Sequence, residues 1–397
     1  MRIVQLANFY SPTSGGLRTT LHRLAEEYER AGHEVVRIVP GQRLQHGRHG
    51  ATRHIEVRGH RLGRTGYRVV LDRAIVESLI AQINPDVIEL SDKTTLVGTA
   101  QAARERGVPV VMLSHERLDT ILGARVPGYA PMAAATATTT RAWNRRLARQ
   151  CDAIVCASHY AANEWAGVAD AILHHIPLGV DLNRFTIDLT IDQAATSATE
   201  PRTADPSPRG RPLELVCVGR LSVEKNPALA LATVRELVAR GVNCRLSMVG
   251  DGALSEQLRC DAADLPVRFL GHLSGHDVAQ VLQRADAALA PCRVETFGLA
   301  ALEALACGTP VVVAAQGALP ELVPPGAGAA ARPHAAAFAD AVMAVCAADR
   351  SVSALFARAH AEQFPWSATA AAMLQVMRDC IDGRQTLPPV PAHGAMA

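Results

Sequence analysis

Short apolar runs and helical stripes alternate along this chain, and the alternation occurs twice. Ile3–Ala7 reads as a buried strand, and Asn8–Gly16 follows as a loop. Leu17, Thr20, Leu21, Leu24, Tyr28 and Ala31 then trace one face of a helix that ends at Gly32, before a second strand at Val35–Val39. Further strand-like runs fall at Val87–Leu90, Pro109–Leu113, Ala153–Cys156 and Ile172–Pro177. Thr186–Pro212, rich in Thr, Ala, Pro, Ser and Asp, has no sustained apolar period and reads as a linker. A second series begins at Leu213–Val218, with a helix over about 228–240 and strands at Cys244–Val249, Val267–Leu270, Ala287–Ala290 and Val311–Ala314. Strands separated by helices require parallel sheets covered on both faces. The expected fold is therefore α/β, with two doubly wound halves and an active site in the cleft between them. The expected division is 1–185, a linker 186–212, a second domain 213–363, a crossover helix 364–382 and a flexible tail 383–397.

Composition removes several classes. At 397 residues, 49% hydrophobic and 20% charged, the chain is globular and too long for one ordinary core. A net charge of +2 does not argue for nucleic acid. Nine scattered cysteines form no C-x-x-C pair and fit reduced thiols better than a disulfide frame or a zinc site. Met1-Arg2 leads straight into a strand without a signal peptide, and no apolar run approaches 18 residues. The expectation is a cytoplasmic protein whose membrane contact is at most peripheral.

The stretch Pro291–Val313 carries the densest chemistry. Leu299, Leu302 and Leu305 recur at helical spacing, Gly308 stops the helix, and Pro310 leads into a strand. Glu295 and Glu303 would not share a face of one continuous helix. With Glu295 in the preceding loop and Glu303 in the helix, both can reach a ligand across the helix N-terminus. The N–H groups from about Phe297, through Gly298 and Leu299, to Ala300 suit a diphosphate there. Arg220 and Lys225, in the loop after the first strand of the second series, can grip a diphosphate and neutralise it as it leaves. No D-x-D occurs for a divalent metal and no His/Cys ligand cluster, so no metal and no cofactor are expected. Protein cations and a helix N-terminus would do the metal's work. Gly15-Gly16 before the first helix lets the backbone approach a phosphate or sugar, or simply makes a tight turn.

Arg43–Arg68 holds seven arginines and four histidines against the single acid Glu56. Arg141–Arg149 is a second basic stretch, helical and carrying Trp143. Such runs are solvated faces or an anion-facing edge that meets phospholipid headgroups or an acidic acceptor. Arg58, Arg61, Arg64, Arg68 and Trp143 are the candidates for that contact.

Together these residues resemble the retaining glycosyltransferases of family 4. Glu295-x₇-Glu303 with Thr-Phe-Gly after the first Glu looks like that family's E-x₇-E signature. Gly219-Arg-Leu-Ser-Val-Glu-Lys225 is similar to its phosphate clamp, Gly15-Gly16 to its N-terminal glycine loop, and Gly179-Val-Asp181-x₃-Phe185 to the segment before its domain crossover. The four motifs span nearly the whole chain in the family's order. The resemblance implies a GT-B architecture: two Rossmann-like domains facing a central cleft, with a C-terminal helix that crosses back to the N-terminal domain. It implies that Arg220 and Lys225 hold the diphosphate, Glu303 the ribose, and Glu295 the donor sugar. His115, in Ser114-His-Glu-Arg-Leu-Asp119, matches the family histidine beside the transferred sugar. Val4–Tyr10, Ser114–Asp119 and Gly219–Lys225 further resemble the GDP-mannose-dependent α-mannosyltransferases of glycolipid and lipoglycan synthesis. That match implies a GDP-mannose donor, a lipid or glycolipid acceptor and a place on the inner face of the cell membrane.

The expected reaction is retaining hexosyl transfer, with Glu295 orienting the donor and no covalent nucleophile. The acceptor hydroxyl attacks the face that the diphosphate leaves. The same fold could use UDP-glucose or UDP-GlcNAc, or serve an epimerase or phosphorylase. A non-catalytic nucleotide-sugar-binding or membrane scaffold protein is the rival of another class. A dinucleotide oxidoreductase lacks its glycine fingerprint here.

Overall fold

A computed structural model of the chain describes residues 1–10, 15–63, 67–120, 130–168, 173–188 and 211–383, without the side chains of 130–137. The chain forms two compact units: 1–177 joined by the stretch from Trp366 onward, and Leu178–Pro365. The first unit thus ends at Pro177, earlier than the expected 185. Val180 forms an isolated bridge with Pro365, and its N–H donates to Phe364 O, so 178–185 is tied to the second unit.

The first unit is built on an eight-stranded sheet. Its strands are β1 (Arg2–Ala7), β2 (Glu34–Gly41), β3 (Gln45–His49), β4 (Thr52–Arg58), β7 (Val87–Ser91), β8 (Val110–Ser114), β9 (Ala153–Cys156) and β10 (Leu173–His175). A separate two-stranded ribbon pairs β5 (His60–Arg61) with β6 (Arg68–Val69). The order is β10-β9-β8-β7-β1-β2-β4-β3, parallel throughout except for the β3–β4 hairpin at one edge. β7 and β8 are buried at every residue, so both read as largely apolar runs, β7 with Glu89 in its middle. Ile38, Ile55, Ile88 and Met112 pack on one face with Val76, Ile80 and Leu147.

The other face carries a polar row. Gln5 pairs in register with Arg37 on β2 and Glu89 on β7, and all three are buried. Arg37 Nε donates to Gln5 Oε1 at 3.0 Å, Gln5 Nε2 donates to Glu89 Oε1 at 3.1 Å, and the Tyr28 hydroxyl donates to Glu89 Oε2 at 2.8 Å. Burial pushes the Glu89 carboxyl up to about 7 despite these donors. The row ties β2, β1 and β7 to the helix Gly16–Arg30, which carries Tyr28.

The second unit has six parallel strands: β11 (Leu213–Val218), β12 (Cys244–Val249), β13 (Val267–Gly271), β14 (Ala287–Ala290), β15 (Val311–Ala314) and β16 (Gly328–Ala331). Their order, β13-β12-β11-β14-β15-β16, reverses direction between β11 and β14. That switch point is where an open α/β sheet receives ligands. Leu215, Leu246, Leu289 and Val312 of the sheet pack with Val234, Leu237, Phe338 and Val342 from flanking helices.

The helix Trp366–Ile381 returns to the first unit. It packs on the helix Gly16–Arg30 and on β8, and Thr369 Oγ1 donates to Pro177 O at 2.9 Å. Trp366, Met373, Leu374 and Met377 are among its buried residues. The preceding helix, Arg350–Ala361, belongs to the second unit, and the chain changes units at Pro365–Trp366, between the two helices. Most of the linker (189–210) and the tail from 384 lie outside the described residues.

Candidate active site

In the second unit, the two loops flanking the sheet reversal carry the expected groups. Arg220 follows β11 and Lys225 ends the short turn Val223–Lys225, while Glu295 follows β14, the neighbouring strand. Lys225 Nζ meets Glu295 Oε2 at 2.6 Å. Burial works against the ammonium, but the Glu295 carboxylate outweighs it, and the Lys225 pKa is driven up. Lys225 is therefore a fixed cation. Arg220 Nη2 lies 3.2 Å from Glu224 Oε1, whose carboxylate also accepts from Ser222 Oγ. Cys292 underlies the pair, its thiol donating to Glu224 O at 3.2 Å, and burial raises it to about 11. Glu224 and Cys292 were not singled out from sequence. Glu224 precedes Lys225 in the chain but an exposed Glu carries no signal of its own, and Cys292 reaches this loop only because two loops 68 residues apart meet.

The helix after Glu295 runs Leu299–Ala306, with Gly298 as its N-cap. Gly298 has φ +108°, and a Cβ there would meet Leu319 Cδ2 at 2.4 Å, so only glycine admits this sharp entry. Gly317 is a second such point, with φ +80° and backbone oxygens of Arg293 and Glu295 around 3 Å from a built Cβ. Ala318 N–H donates to Glu295 O at 2.9 Å, so this close approach shapes the loop that presents Glu295. Glu303 is half-buried on the second turn of the helix, and Leu299 opens the first. Glu295 is thus in the loop and Glu303 in the helix, the arrangement the spacing requires. Phe297 is buried, its ring edge-on to Phe364 at 6.4 Å between centroids, so only its backbone is left for a ligand.

In the first unit, Gly15 caps the helix Gly16–Arg30, and a Cβ on Gly15 would meet nothing within 4 Å. His115 follows β8, and its Nε2 lies 3.2 Å from Ser91 Oγ at the end of β7. Burial, reinforced by the Lys93 charge, lowers its pKa to about 3, which keeps the imidazole neutral at ordinary pH.

The basic segment is ordered as strands rather than loops. Arg48 and Arg53 lie opposite each other in the β3–β4 hairpin, and Arg43, Arg48, Arg53, Arg58 and Arg61 are exposed. Arg68 is half-buried and donates to Gly59 O at 2.8 Å, a structural bond. Arg64 lies outside the described residues. Trp143 is half-buried. Its ring packs on the first unit's core and its Nε1 donates to Lys93 O at 2.9 Å, because one face of the helix Ala130–Ala148 is turned inward.

Among the described residues no group of three or more His, Cys, Asp or Glu side chains is arranged to hold a metal ion, and no helix is long and apolar enough to cross a membrane.

Two family profiles match this chain: "Glycosyltransferase Family 4" over residues 14–184 and "Glycosyl transferases group 1" over 202–359. A GDP-mannose-dependent alpha-(1-6)-phosphatidylinositol dimannoside mannosyltransferase of Mycobacterium tuberculosis is 39% identical over 380 residues, covering 95% of this chain and 96% of that protein. A GDP-mannose-dependent alpha-(1-6)-phosphatidylinositol monomannoside mannosyltransferase of Mycolicibacterium smegmatis is 27% identical, covering 80% of this chain and 81% of its own. Among solved structures, sucrose-phosphate synthase from Thermosynechococcus elongatus superposes with a TM-score of 0.77 at 19% identity, covering 96% of this chain and 99% of that one. HepE of Anabaena in complex with UDP-glucose gives 0.71 at 18%, covering 96% and 100%. The fold is GT-B, with two Rossmann-like domains.

Proposed function

We propose that this chain, which belongs to the glycosyltransferases of family 4, transfers mannose from GDP-mannose to a phosphatidylinositol mannoside or a related acidic glycolipid. The observation that carries this reading is the 39% identity along 95% of the chain to an enzyme of that description, together with an intact Arg220, Lys225, Glu295 and Glu303 set. In this reading Arg220 and Lys225 hold the diphosphate, aided by the N-terminus of the helix Leu299–Ala306. Glu295 receives the sugar hydroxyls and Glu303 the ribose. Charge develops on the leaving diphosphate as the glycosidic bond ionises, and fixed cations stabilise it more than water would. The acceptor hydroxyl enters on the face the diphosphate leaves, giving an α linkage with retention, and its proton passes to the departing phosphate. His115, neutral, donates or accepts a hydrogen bond at the sugar rather than serving as a cation. The reaction uses no metal in this reading.

The acceptor's phosphate would be met at the cytoplasmic membrane face by the exposed arginines of the β3–β4 hairpin. Calorimetric titration with GDP and UDP, followed by turnover with GDP-mannose on lipid extracts, tests the assignment. Tight GDP binding with mannosylated lipid as product is expected. UDP binding without GDP binding overturns the mannose donor, and a product of inverted anomeric configuration overturns retention.

A further inference from the structure

Two loops at the carboxyl end of the first unit's sheet are bolted together by a buried ion pair. One loop follows Ser91 at the end of β7 and holds Asp92 and Lys93; the other follows β8 and holds His115 to Asp119. Lys93 pairs with Glu164 of the turn Asn163–Trp165, and their side chains are 8% and 1% exposed. The pair's remaining hydrogen bonds go to the His115 loop. Lys93 Nζ also donates to Glu116 O at 2.5 Å, and Glu164 Oε1 accepts from the Leu118 N–H at 2.7 Å. The pair is held in turn: Trp143 Nε1 donates to Lys93 O, the ammonium lies 4.9 Å from the Trp165 ring centroid, and Asn144 Nδ2 donates to Glu164 O at 3.3 Å. Asp92 is itself fixed by the N–H groups of Thr94 and Leu96, which leaves Lys93 little freedom.

A buried ion pair is a poor source of stability, since desolvation offsets most of its attraction. Its geometry here does something an apolar pair could not, because both partners clamp backbone groups on either side of Arg117. We infer that Lys93 and Glu164 are positioning residues that fix the His115 loop, and so the imidazole, for sugar transfer. The inference rests on the function proposed above. Arg117, bonded to Asp119 and to Tyr160 O at 2.7 Å, closes the loop from its outer side. The Lys93 charge adds to burial in keeping His115 neutral.

The test compares the full chain with Lys93→Met/Glu164→Leu and with Lys93→Met/Glu164→Gln, reading folding, Leu118 amide exchange, GDP affinity and turnover of GDP-mannose. Replacing the whole pair by apolar residues should leave the thermal midpoint within about 5 °C of the wild type. GDP affinity, which depends on the second unit, should stay within about twofold, while kcat falls on the order of 100-fold with little change in donor KM. Leu118 exchange should speed up while Met112 in β8 stays protected. Lys93→Met/Glu164→Gln leaves no buried ammonium unpaired and keeps an acceptor for the Leu118 N–H, so it should retain kcat within about tenfold, well above the apolar pair. The assignment is overturned by an apolar double variant that turns over within about twofold of the wild type, by Lys93→Met/Glu164→Gln losing as much as the apolar pair, or by unchanged Leu118 exchange. A double variant that does not fold makes the pair structural, which also overturns it. A wild-type chain that transfers no mannose sinks the proposed function instead, and the exchange data report on the clamp separately.

Discussion

At Glu295 the informative partner is Lys225, 2.6 Å away and 70 positions earlier. The carboxylate expected to receive sugar hydroxyls also sets the position of the cation expected to hold the diphosphate. Glu295→Gln should therefore lose more than a sugar contact. Turnover should fall on the order of 100- to 1,000-fold, and GDP alone should bind more weakly as Lys225 is released. Steady-state kinetics with GDP calorimetry check this; near-normal kcat in the variant would remove Glu295 from the site. Glu89 yields a second residue-scale prediction. Its folded pKa is about 7 against an ordinary 4.5, so between those values the folded chain holds a proton that the unfolded chain has released. Its contribution to stability is thus fully present below the ordinary value and lost as pH rises through 7. Glu89→Gln keeps the shape without the charge. At roughly 1.4 kcal/mol per pKa unit, it should be more stable than the wild type at pH 8 by on the order of 3 kcal/mol, with the gap closing toward pH 4. Urea unfolding at several pH values measures it, and a pH-independent difference would contradict the protonation argument.

Among elements, the loop from β14 into the helix Leu299–Ala306 depends on two glycines with left-handed backbone. Gly317→Ala puts a Cβ against the backbone of Arg293 and Glu295 in a strained conformation. It should cost roughly 1–3 kcal/mol of stability and lower turnover further by displacing Glu295. Thermal unfolding and kcat are the readouts; wild-type activity would mean the loop adapts. The β3–β4 hairpin makes a different prediction. Arg48 and Arg53 sit opposite each other on an exposed edge, an arrangement that like charges disfavour and an anionic surface would relieve. Arg48→Glu with Arg53→Glu should weaken binding to anionic liposomes, and wild-type binding should fall as salt rises. Cosedimentation that ignores both charge and salt would exclude this edge. The hairpin also marks where pattern reading stops. Ile55 and Val57 alternate with polar neighbours over too few residues to announce a strand, and arginines and histidines fill the rest. β16 is Gly-Ala-Ala-Ala, a strand only because β15 pairs with it.

For the whole molecule, the first unit is completed by residues from the far end of the chain. Met377 is fully buried in the returning helix, and Met377→Ala should destabilise that unit by about 2–5 kcal/mol. The unfolding midpoint measures the loss. Acid stability is also a property of the assembled fold. Burial, first, and neighbouring cations hold His22 and His115 near 3 and His54 near 4, against an ordinary 6.5. Their contribution is complete above 6.5 and is lost as pH falls toward those values, because the unfolded chain takes up protons that the folded one refuses. Three histidines outweigh the opposing Glu89, so net stability should fall between pH 6.5 and 4, more steeply in Glu89→Gln.

The amino-acid sequence by itself determined the two parallel sheets, because strands buried on both faces are predominantly apolar and the helices between them are striped. It also determined the Glu295–Glu303 loop-and-helix pair and the Arg220–Lys225 loop, because chemistry that depends on one strand end or one helix N-terminus needs its residues close in sequence. Tertiary structure decided what depends on distant partners. It turned Trp143 inward to Lys93, folded the arginine-rich segment into strands, and moved the first unit's boundary to Pro177. It joined Lys93 to Glu164 across 71 positions beneath the His115 loop. A buried charge acquires its role from the groups that enclose it, and those groups come from segments that no local pattern connects.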